Sequence, residues 1–387
     1  MKLLVLTAAT GGGHIRAGNG IVETVARGGE HQAVAVDALK EVGWLFDRII
    51  CGSYLFMARR CPRFFGRMYR QSNKKNLFSG LVPTITSWVS GRLMKVIARE
   101  QPDAIVTTHP FAASMAAALR QKGKVTVPVL SLITDYGVHR AYLAENRCDG
   151  YIVACEDMIP EAEAWGVPRE KVHPFGIPVM PQFFEKVPRP QARKALGLDP
   201  DLPLVLFMAG SFGVSNILGI FRDLQERMGA DRPLAQLVVI TGRNEKLYQT
   251  FQAEIARGTK LPTQLLFFTN EVEKYMHAAD LLVTKPGGLT VSEALASDLP
   301  LAAFDAIPGQ EEDNAAFLER HGMAIRMKTD TEAGPAIAAL MADPHRLAAM
   351  REAVAAFDKS QCVPNILALC AQLSQQSGPA PSSLKKG

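Results

Sequence analysis

The amino-acid sequence predicts an α/β protein of two doubly wound domains that face each other across a cleft. Short apolar runs of strand length alternate with helical segments along most of the chain, as parallel sheets covered by helices require. Glycine-rich turns follow such runs in both halves, at Thr10-Gly11-Gly12-Gly13-His14 and at Lys285-Pro286-Gly287-Gly288. Seven prolines from Pro174 to Pro203 punctuate the stretch between the halves, which holds one short helical piece, Gln191 to Leu196. Residues 178–203 therefore read as the connection between domains 1–177 and 204–373. With 387 residues, each half is long enough for its own core.

Leu3 to Thr7 is the first strand, and Ile15 to Ala26 reads as the helix after the glycine turn. Strand, glycine loop and helix in this order suggest a dinucleotide unit, but the spacing is not GxGxxG. Asp37 also ends the next strand, Ala33 to Val36, somewhat early for a ribose carboxylate. A nicotinamide enzyme is a weak reading. His14 allows two interpretations: a helix-terminal histidine satisfied by backbone, or a general base in a cleft. The helix N-terminus lowers its proton affinity and keeps the ring neutral near pH 7.

Between Arg48 and Arg99 the chain has no Asp or Glu and eleven basic residues. These outnumber the net charge of +5, so the remainder of the chain is net acidic. Arg59, Arg60, Arg63, Arg67, Arg70, Lys74 and Lys75 are interleaved with aromatics such as Phe64 and Phe65. Basic and aromatic residues mixed on helices suit an interfacial membrane contact. Single-stranded nucleic acid is the competing partner, but no nucleic-acid-reading motif accompanies the segment. A solvated basic face over a helical core is the third possibility.

Strands follow at Ala104 to Thr107, Val129 to Ile133, Tyr151 to Ala154 and Val172 to Gly176, with an alanine-rich helix from Phe111 to Leu119. Asp135 sits where a strand's carboxyl end meets the cleft, suited to acid–base work or to an Asx turn. The DxD of Asp199-Pro200-Asp201 falls in a proline-bounded turn and is read as a turn, not a metal site.

The second half repeats the plan. Leu204 to Met208 precedes a glycine loop at Gly210-Ser211-Phe212-Gly213, and strands follow at Leu237 to Ile240 and Leu265 to Phe268, with a helix from Val272 to Ala279. The strand Leu281 to Val283 leads through Gly287-Gly288 into a helix, Leu289 to Ala296. A glycine pair at such a turn presents backbone N–H groups at the positive end of a helix dipole, which is an anion site. Alternatively, the two glycines only let helix and strand pack closely. Pro308-Gly309-Gln310-Glu311 adds polar groups at the carboxyl end of the next strand, Pro300 to Phe304. The polar groups on adjacent strand ends favour a nucleotide-diphosphate site. Ala324 to Met327 is the last strand. Helices fill the chain from Thr331 to about Leu373, the last of them placed to pack back on the N-terminal domain, and 374–387 reads as a disordered tail.

No uncharged stretch reaches the roughly 18–20 apolar residues of a membrane-spanning helix, and the short run after Met1-Lys2 argues against a signal peptide. Cys51, Cys61, Cys148, Cys155, Cys362 and Cys370 form no CxxC pair, as expected of reduced thiols in a cytoplasmic compartment.

Thr10-Gly11-Gly12-Gly13-His14, Thr134-Asp135-Tyr136-Gly137-Val138-His139, Gly210-Ser211-Phe212-Gly213, Gly242-Arg243-Asn244 and Lys285-Pro286-Gly287-Gly288-Leu289-Thr290 together resemble the monogalactosyldiacylglycerol synthase family. That family includes the bacterial processive diacylglycerol glycosyltransferases and is distantly similar to the lipid II-forming GlcNAc transferase MurG. The resemblance runs from about residue 4 to 370 with every motif in order. It implies a GT-B fold, a UDP-sugar donor in the C-terminal domain, a lipid acceptor at the N-terminal domain, and inversion at the anomeric carbon. His14 with Gly11, Gly12 and Gly13 would meet the acceptor hydroxyl, with Asp135 beside His14 and His139 on the acceptor side. Gly210, Ser211, Phe212 and Gly213, with Pro286, Gly287, Gly288, Leu289 and Thr290, would cradle the diphosphate. Glu293 would reach the ribose, Gln310 and Glu311 the hexose hydroxyls, and Gly242, Arg243, Thr269 and Asn270 would line the base. Ala17 matches the family's small residue after the histidine, whereas Gly18-Asn19-Gly20 departs from its pattern.

UDP leaves readily, so the reaction needs a base and exclusion of water more than a strong acid. Helix N-termini plus a cation can carry the diphosphate charge, so no cofactor and no metal are expected. The resulting reading is transfer of a hexose from a UDP-sugar to diacylglycerol or a related glycolipid, forming a β-glycoside. The expected partners are those two substrates and anionic membrane lipids, without nucleic acid, and the expected location is peripheral, at the cytoplasmic face of a membrane. MurG-like transfer to a polyprenyl-diphosphate lipid and a nucleotide-sugar sensor without turnover are the competing readings. Gln310 and Glu311 do not decide among glucose, galactose and glucuronic acid.

Overall fold

The computed structural model describes residues 1–9, 12–43, 90–209, 217–229, 233–304, 306, 309–327 and 329–376. The chain forms two compact units. One is Met1–Met180 together with the segment from Gln361 onward, and the other is Pro181–Ser360.

The first unit is built on strands Lys2–Thr7 (β1), Gln32–Asp37 (β2), Ala104–Thr107 (β3), Val129–Leu132 (β4), Gly150–Ile152 (β5) and Val172–His173 (β6). They pair in the order β2-β1-β3-β4-β5-β6, and every pairing is parallel. β3 and β4 are buried along their length and β1 from Leu3 onward, whereas β2 at the edge is only partly covered. That is why the central strands read as continuous apolar runs. Helix Gly13–Gly28 starts after Gly12 (φ 82°) and stops at Gly29 (φ 74°), both in the left-handed region that glycine adopts freely. A Cβ on Gly20 would lie 2.8 Å from the backbone carbon of Val179, and one on Gly18 would lie 2.5 Å from Thr7 Cγ2. The loose Gly18-Asn19-Gly20 sequence thus lets the helix lie directly on β1 and on the segment that follows β6.

Helix Cys362–Gln376 belongs to this unit. Its Cys362, Val363, Ile366, Leu369 and Cys370 share one core with Leu3, Val5, Val106 and Leu130. Burying each such aliphatic side chain contributes roughly 1.5–3 kcal/mol. Residues 374–376, expected in the tail, form its last turn. Cys148, Cys155, Cys362 and Cys370 are buried free thiols, and burial pushes Cys148, Cys155 and Cys370 up to about 12.

The second unit carries Leu204–Met208 (β7), Gln236–Ile240 (β8), Thr263–Leu266 (β9), Leu281–Thr284 (β10), Leu301–Ala303 (β11) and Ala324–Arg326 (β12). Their order is β12-β11-β10-β7-β8-β9, again all parallel. Phe207, Phe221 and Phe251 make edge-on ring contacts at the centre of its core.

Much of the stretch read as a connection is an integral part of this unit. Arg193, 5% exposed, donates to the Ala278 carbonyl at 2.9 Å and to Asp280, and Arg189 donates to the Ala279 carbonyl at 3.0 Å. Arg351 from helix Pro344–Ala356 reaches the same Asp280 carboxylate at 3.2 Å. Composition alone hides this, because prolines that break helices also fit a segment pinned by its arginines. The DxD is a turn: Asp199 Oδ1 accepts from the amides of Asp201 and Leu202 at 2.9 and 3.3 Å.

Two boundaries differ in ways that matter for the site. β9 ends at Leu266 rather than Phe268, leaving Phe267 and Phe268 on the surface. Gln310 and Glu311 are not a strand-end loop but the first turn of helix Gln310–Arg320.

Candidate active site

In the first sheet the strand order reverses between β1 and β3, which opens a crevice at their carboxyl ends. Three adjacent strands deliver side chains there. His14 comes from the helix after β1, Thr108 and His109 follow β3, and Thr134 follows β4. His14 Nδ1 lies 2.6 Å from the Thr108 carbonyl oxygen. A carbonyl only accepts, so Nδ1 carries the proton and Nε2 keeps its lone pair. The Thr108 hydroxyl donates back to the His14 carbonyl at 3.0 Å. Burial lowers the His14 pKa from 6.5 to about 4, against the Thr108 bond, which raises it. The ring is therefore neutral at pH 7, with burial rather than the helix terminus as the main cause.

His109 meets His14 edge-on, with ring centroids 4.7 Å apart. Its Nδ1 accepts from the Phe111 amide at 3.2 Å and caps helix Pro110–Gln121. Burial, then the neighbouring His14, hold it well below the usual histidine range. Asp135 is buried directly after Thr134. His139 accepts from the Ala141 amide at 3.2 Å and caps the helical segment Arg140–Asn146, so one of its nitrogens is committed to the fold. Gly12 and Gly13 open the His14 helix; Gly11 lies outside the described residues.

In the second sheet the order reverses between β7 and β10. The loop after β7, with Gly210, Ser211, Phe212 and Gly213, lies outside the described residues. After β10, Gly287 is the N-cap of helix Gly288–Ala296, with no side-chain cap and no acidic residue in the first turn. The amides of Gly288, Leu289 and Thr290 thus form the uncompensated positive end of the helix. Gly287 has φ −69° and ψ 137°, and among the described residues a Cβ on it would meet nothing within 4 Å. At Gly287, close packing of helix and strand is not the reason for glycine. Open space beside bare amides is what an anion needs.

Asn314, completely buried, donates from Nδ2 to the Pro286 carbonyl at 2.9 Å and ties helix Gln310–Arg320 to this turn. That helix begins with Gln310, Glu311, Glu312 and Asp313 after Gly309. The two neighbouring helix starts are thus opposite in character, one bare and suited to anions, one acidic and suited to hydroxyl donors. Glu293 lies 3% exposed in helix Gly288–Ala296. At the ends of β8 and β9, the Arg243 guanidinium stacks 4.7 Å from the centroid of exposed Phe268, next to Thr269 and Asn270. Gly242 (φ 64°) makes a left-handed turn just before Arg243, and Thr269 Oγ1 accepts from the Glu271 amide.

The monogalactosyldiacylglycerol (MGDG) synthase family model matches residues 14–179, and the glycosyltransferase family 28 C-terminal domain matches residues 204–364. A processive diacylglycerol beta-glucosyltransferase of Staphylococcus carnosus is 28% identical over 359 residues, covering 91% of this chain and 87% of the relative. The enzyme of that name from Staphylococcus saprophyticus is 30% identical over 282 residues, covering 73% and 69%. The chain belongs to the monogalactosyldiacylglycerol synthase and processive diacylglycerol glycosyltransferase family. It is a glycosyltransferase. Among solved structures, Acinetobacter baumannii MurG superimposes with a TM-score of 0.61 at 15% identity, covering 96% of this chain and 99% of that one; the likeness shows the GT-B fold.

In this glycosyltransferase the His14 crevice lies within the first family match and the Gly287 turn within the second. Sequence reasoning assigned no role to Thr108, His109, Thr134, Tyr142, Phe268 or Asn314. His109 carried a signal, a Thr-Thr-His-Pro run at the end of an apolar strand. Asn314 had only helical spacing to mark it. Arg59, Arg60, Arg63, Phe64, Phe65, Arg67, Arg70, Lys74 and Lys75 lie outside the described residues, and among the described residues no helix is long and apolar enough to cross a membrane.

Proposed function

We propose that this glycosyltransferase moves a hexose from a UDP-sugar to diacylglycerol or a related glycolipid at a membrane surface, with inversion and without a metal. The observation that carries the reading is the His14 ring. It is neutral, its Nδ1 proton is committed to the Thr108 carbonyl, and its Nε2 is left as a base. An unactivated lipid hydroxyl needs such a base. The hydroxyl oxygen bonds to the anomeric carbon as its proton passes to Nε2, and UDP departs with the electron pair of the broken bond. Attack opposite the leaving group gives the β-glycoside from an α-linked donor.

On the donor side, the bare amides of residues 288–290 take the diphosphate and the acidic start of helix Gln310–Arg320 takes sugar hydroxyls. The Arg243–Phe268 stack offers a platform for the uracil ring. The relatives' names support diacylglycerol as acceptor. The acid-free basic sequence 48–99 supports binding to anionic lipid at the cytoplasmic face, at about 1 kcal/mol per Lys or Arg near such a surface.

The test mixes purified protein with diacylglycerol in anionic vesicles and offers UDP-glucose, UDP-galactose, UDP-glucuronate and UDP-GlcNAc separately, with EDTA present. A β-glycolipid from a hexose donor is the expected result. Product only with a polyprenyl-diphosphate acceptor, or only after a divalent metal is restored, would refute the acceptor or the metal-free step respectively.

A further inference from the structure

The geometry assigns Thr134 and Tyr142 as positioning residues for His14: the Thr134 hydroxyl is a second acceptor at Nδ1, and the Tyr142 phenol holds that hydroxyl in place. The inference rests on the reading of His14 as the base. Two oxygens converge on Nδ1, the Thr108 carbonyl at 2.6 Å and Thr134 Oγ1 at 3.2 Å. Because the carbonyl can only accept, Nδ1 has no lone pair to offer, and Thr134 meets the ring as an acceptor. The Thr134 proton is then free for the Tyr142 hydroxyl, 2.9 Å away. Tyr142 is itself anchored, since the Ser131 hydroxyl donates to its carbonyl at 2.7 Å. Ser131, Thr134 and Tyr142 are all buried, so water competes little for these bonds.

The arrangement matters most during the reaction. In the resting enzyme Nδ1–H belongs to a neutral ring. When the acceptor O–H breaks and Nε2–H forms, the ring becomes an imidazolium and the Nδ1–H grows more positive. Two oxygens at that hydrogen stabilise the developing charge more than they stabilise the neutral ring. The pair should raise kcat and leave KM alone.

Thr134→Val removes the hydroxyl at nearly constant shape. The expected result is a loss of about tenfold in kcat, the scale of one hydrogen bond to a charged group, with KM for donor and acceptor little changed. Thr134→Ser should restore the rate. Tyr142→Phe should lower kcat less and add nothing in the Thr134→Val background, because it acts only through Thr134. In a His14→Ala background, Thr134→Val should have no further effect. Wild-type kcat in Thr134→Val overturns the inference, as does a loss that serine fails to rescue or that persists in full without His14. If His14→Ala itself kept the wild-type rate, the base assignment would fall and this inference with it; if His14→Ala is inactive and Thr134→Val is not impaired, only the inference falls.

Discussion

Gly287→Ala separates ligand binding from folding at the donor turn. The backbone there is extended, at φ −69° and ψ 137°, and the new methyl meets no atom of the described residues within 4 Å. Alanine narrows the unfolded ensemble, worth about 0.4–1 kcal/mol, and is a poorer N-cap than glycine by a similar amount. The two offset, so folding stability should change by less than about 1 kcal/mol, or roughly 2–4 °C in Tm. In the proposed donor complex the diphosphate occupies the space the methyl would fill. Displacing it from the amides of residues 288–290 forfeits at least one charge-assisted hydrogen bond, about 1.5–3 kcal/mol. UDP should therefore bind about 10- to 100-fold more weakly, measured by titration calorimetry beside differential scanning calorimetry of the same sample. Unchanged UDP affinity would refute the anion site. A large fall in Tm would refute the claim that this glycine is not needed for packing.

Four further outcomes follow from the same structure. The acid limb of the kcat/KM profile should fall near pH 4 rather than near 6.5, because the free enzyme keeps His14 neutral to about 4. His14 and His109 bind protons less readily folded than unfolded, so the unfolded chain gains protons first as pH falls. Stability should decline from about pH 6.5 to about 4, by roughly 1–3 kcal/mol for His14, as denaturant titration at stepped pH will show. Asn314→Ala strands the buried Pro286 carbonyl and should cost about 1–3 kcal/mol in urea unfolding, together with weaker UDP binding. Asp280→Asn removes the carboxylate that Arg189, Arg193 and Arg351 share and should cost about 3–5 kcal/mol, read as a fall in Tm.

The sheets were legible because parallel strands buried on both faces must be apolar throughout, as Leu3 to Leu6 and Leu204 to Phe207 are. The starts of helices Gly13–Gly28 and Gly288–Ala296 were legible because a glycine turn after an apolar strand restricts residue choice. What the sequence hid depends on contacts between distant positions. Nothing local shows that Thr108 and Thr134 converge on His14, 94 and 120 residues away. Asn314 resembles any polar residue on a helix until its burial is known. The cause of the lowered His14 pKa was hidden likewise, since burial is set by neighbours from three strand ends. Arg189 and Arg193, in a proline-rich stretch, gave no sign that they bind carbonyls and a carboxylate of a later segment.

The most direct test of the central claim is a single-turnover transfer to diacylglycerol in anionic vesicles from whichever labelled UDP-hexose the wild type uses, comparing wild type with His14→Ala and with UDP affinity measured on both. We predict a β-glycosyl lipid from the wild type, and at least about a hundredfold slower turnover in the variant, the lower range for a general base, at unchanged UDP affinity. Equal turnover rates in the two proteins would contradict the account.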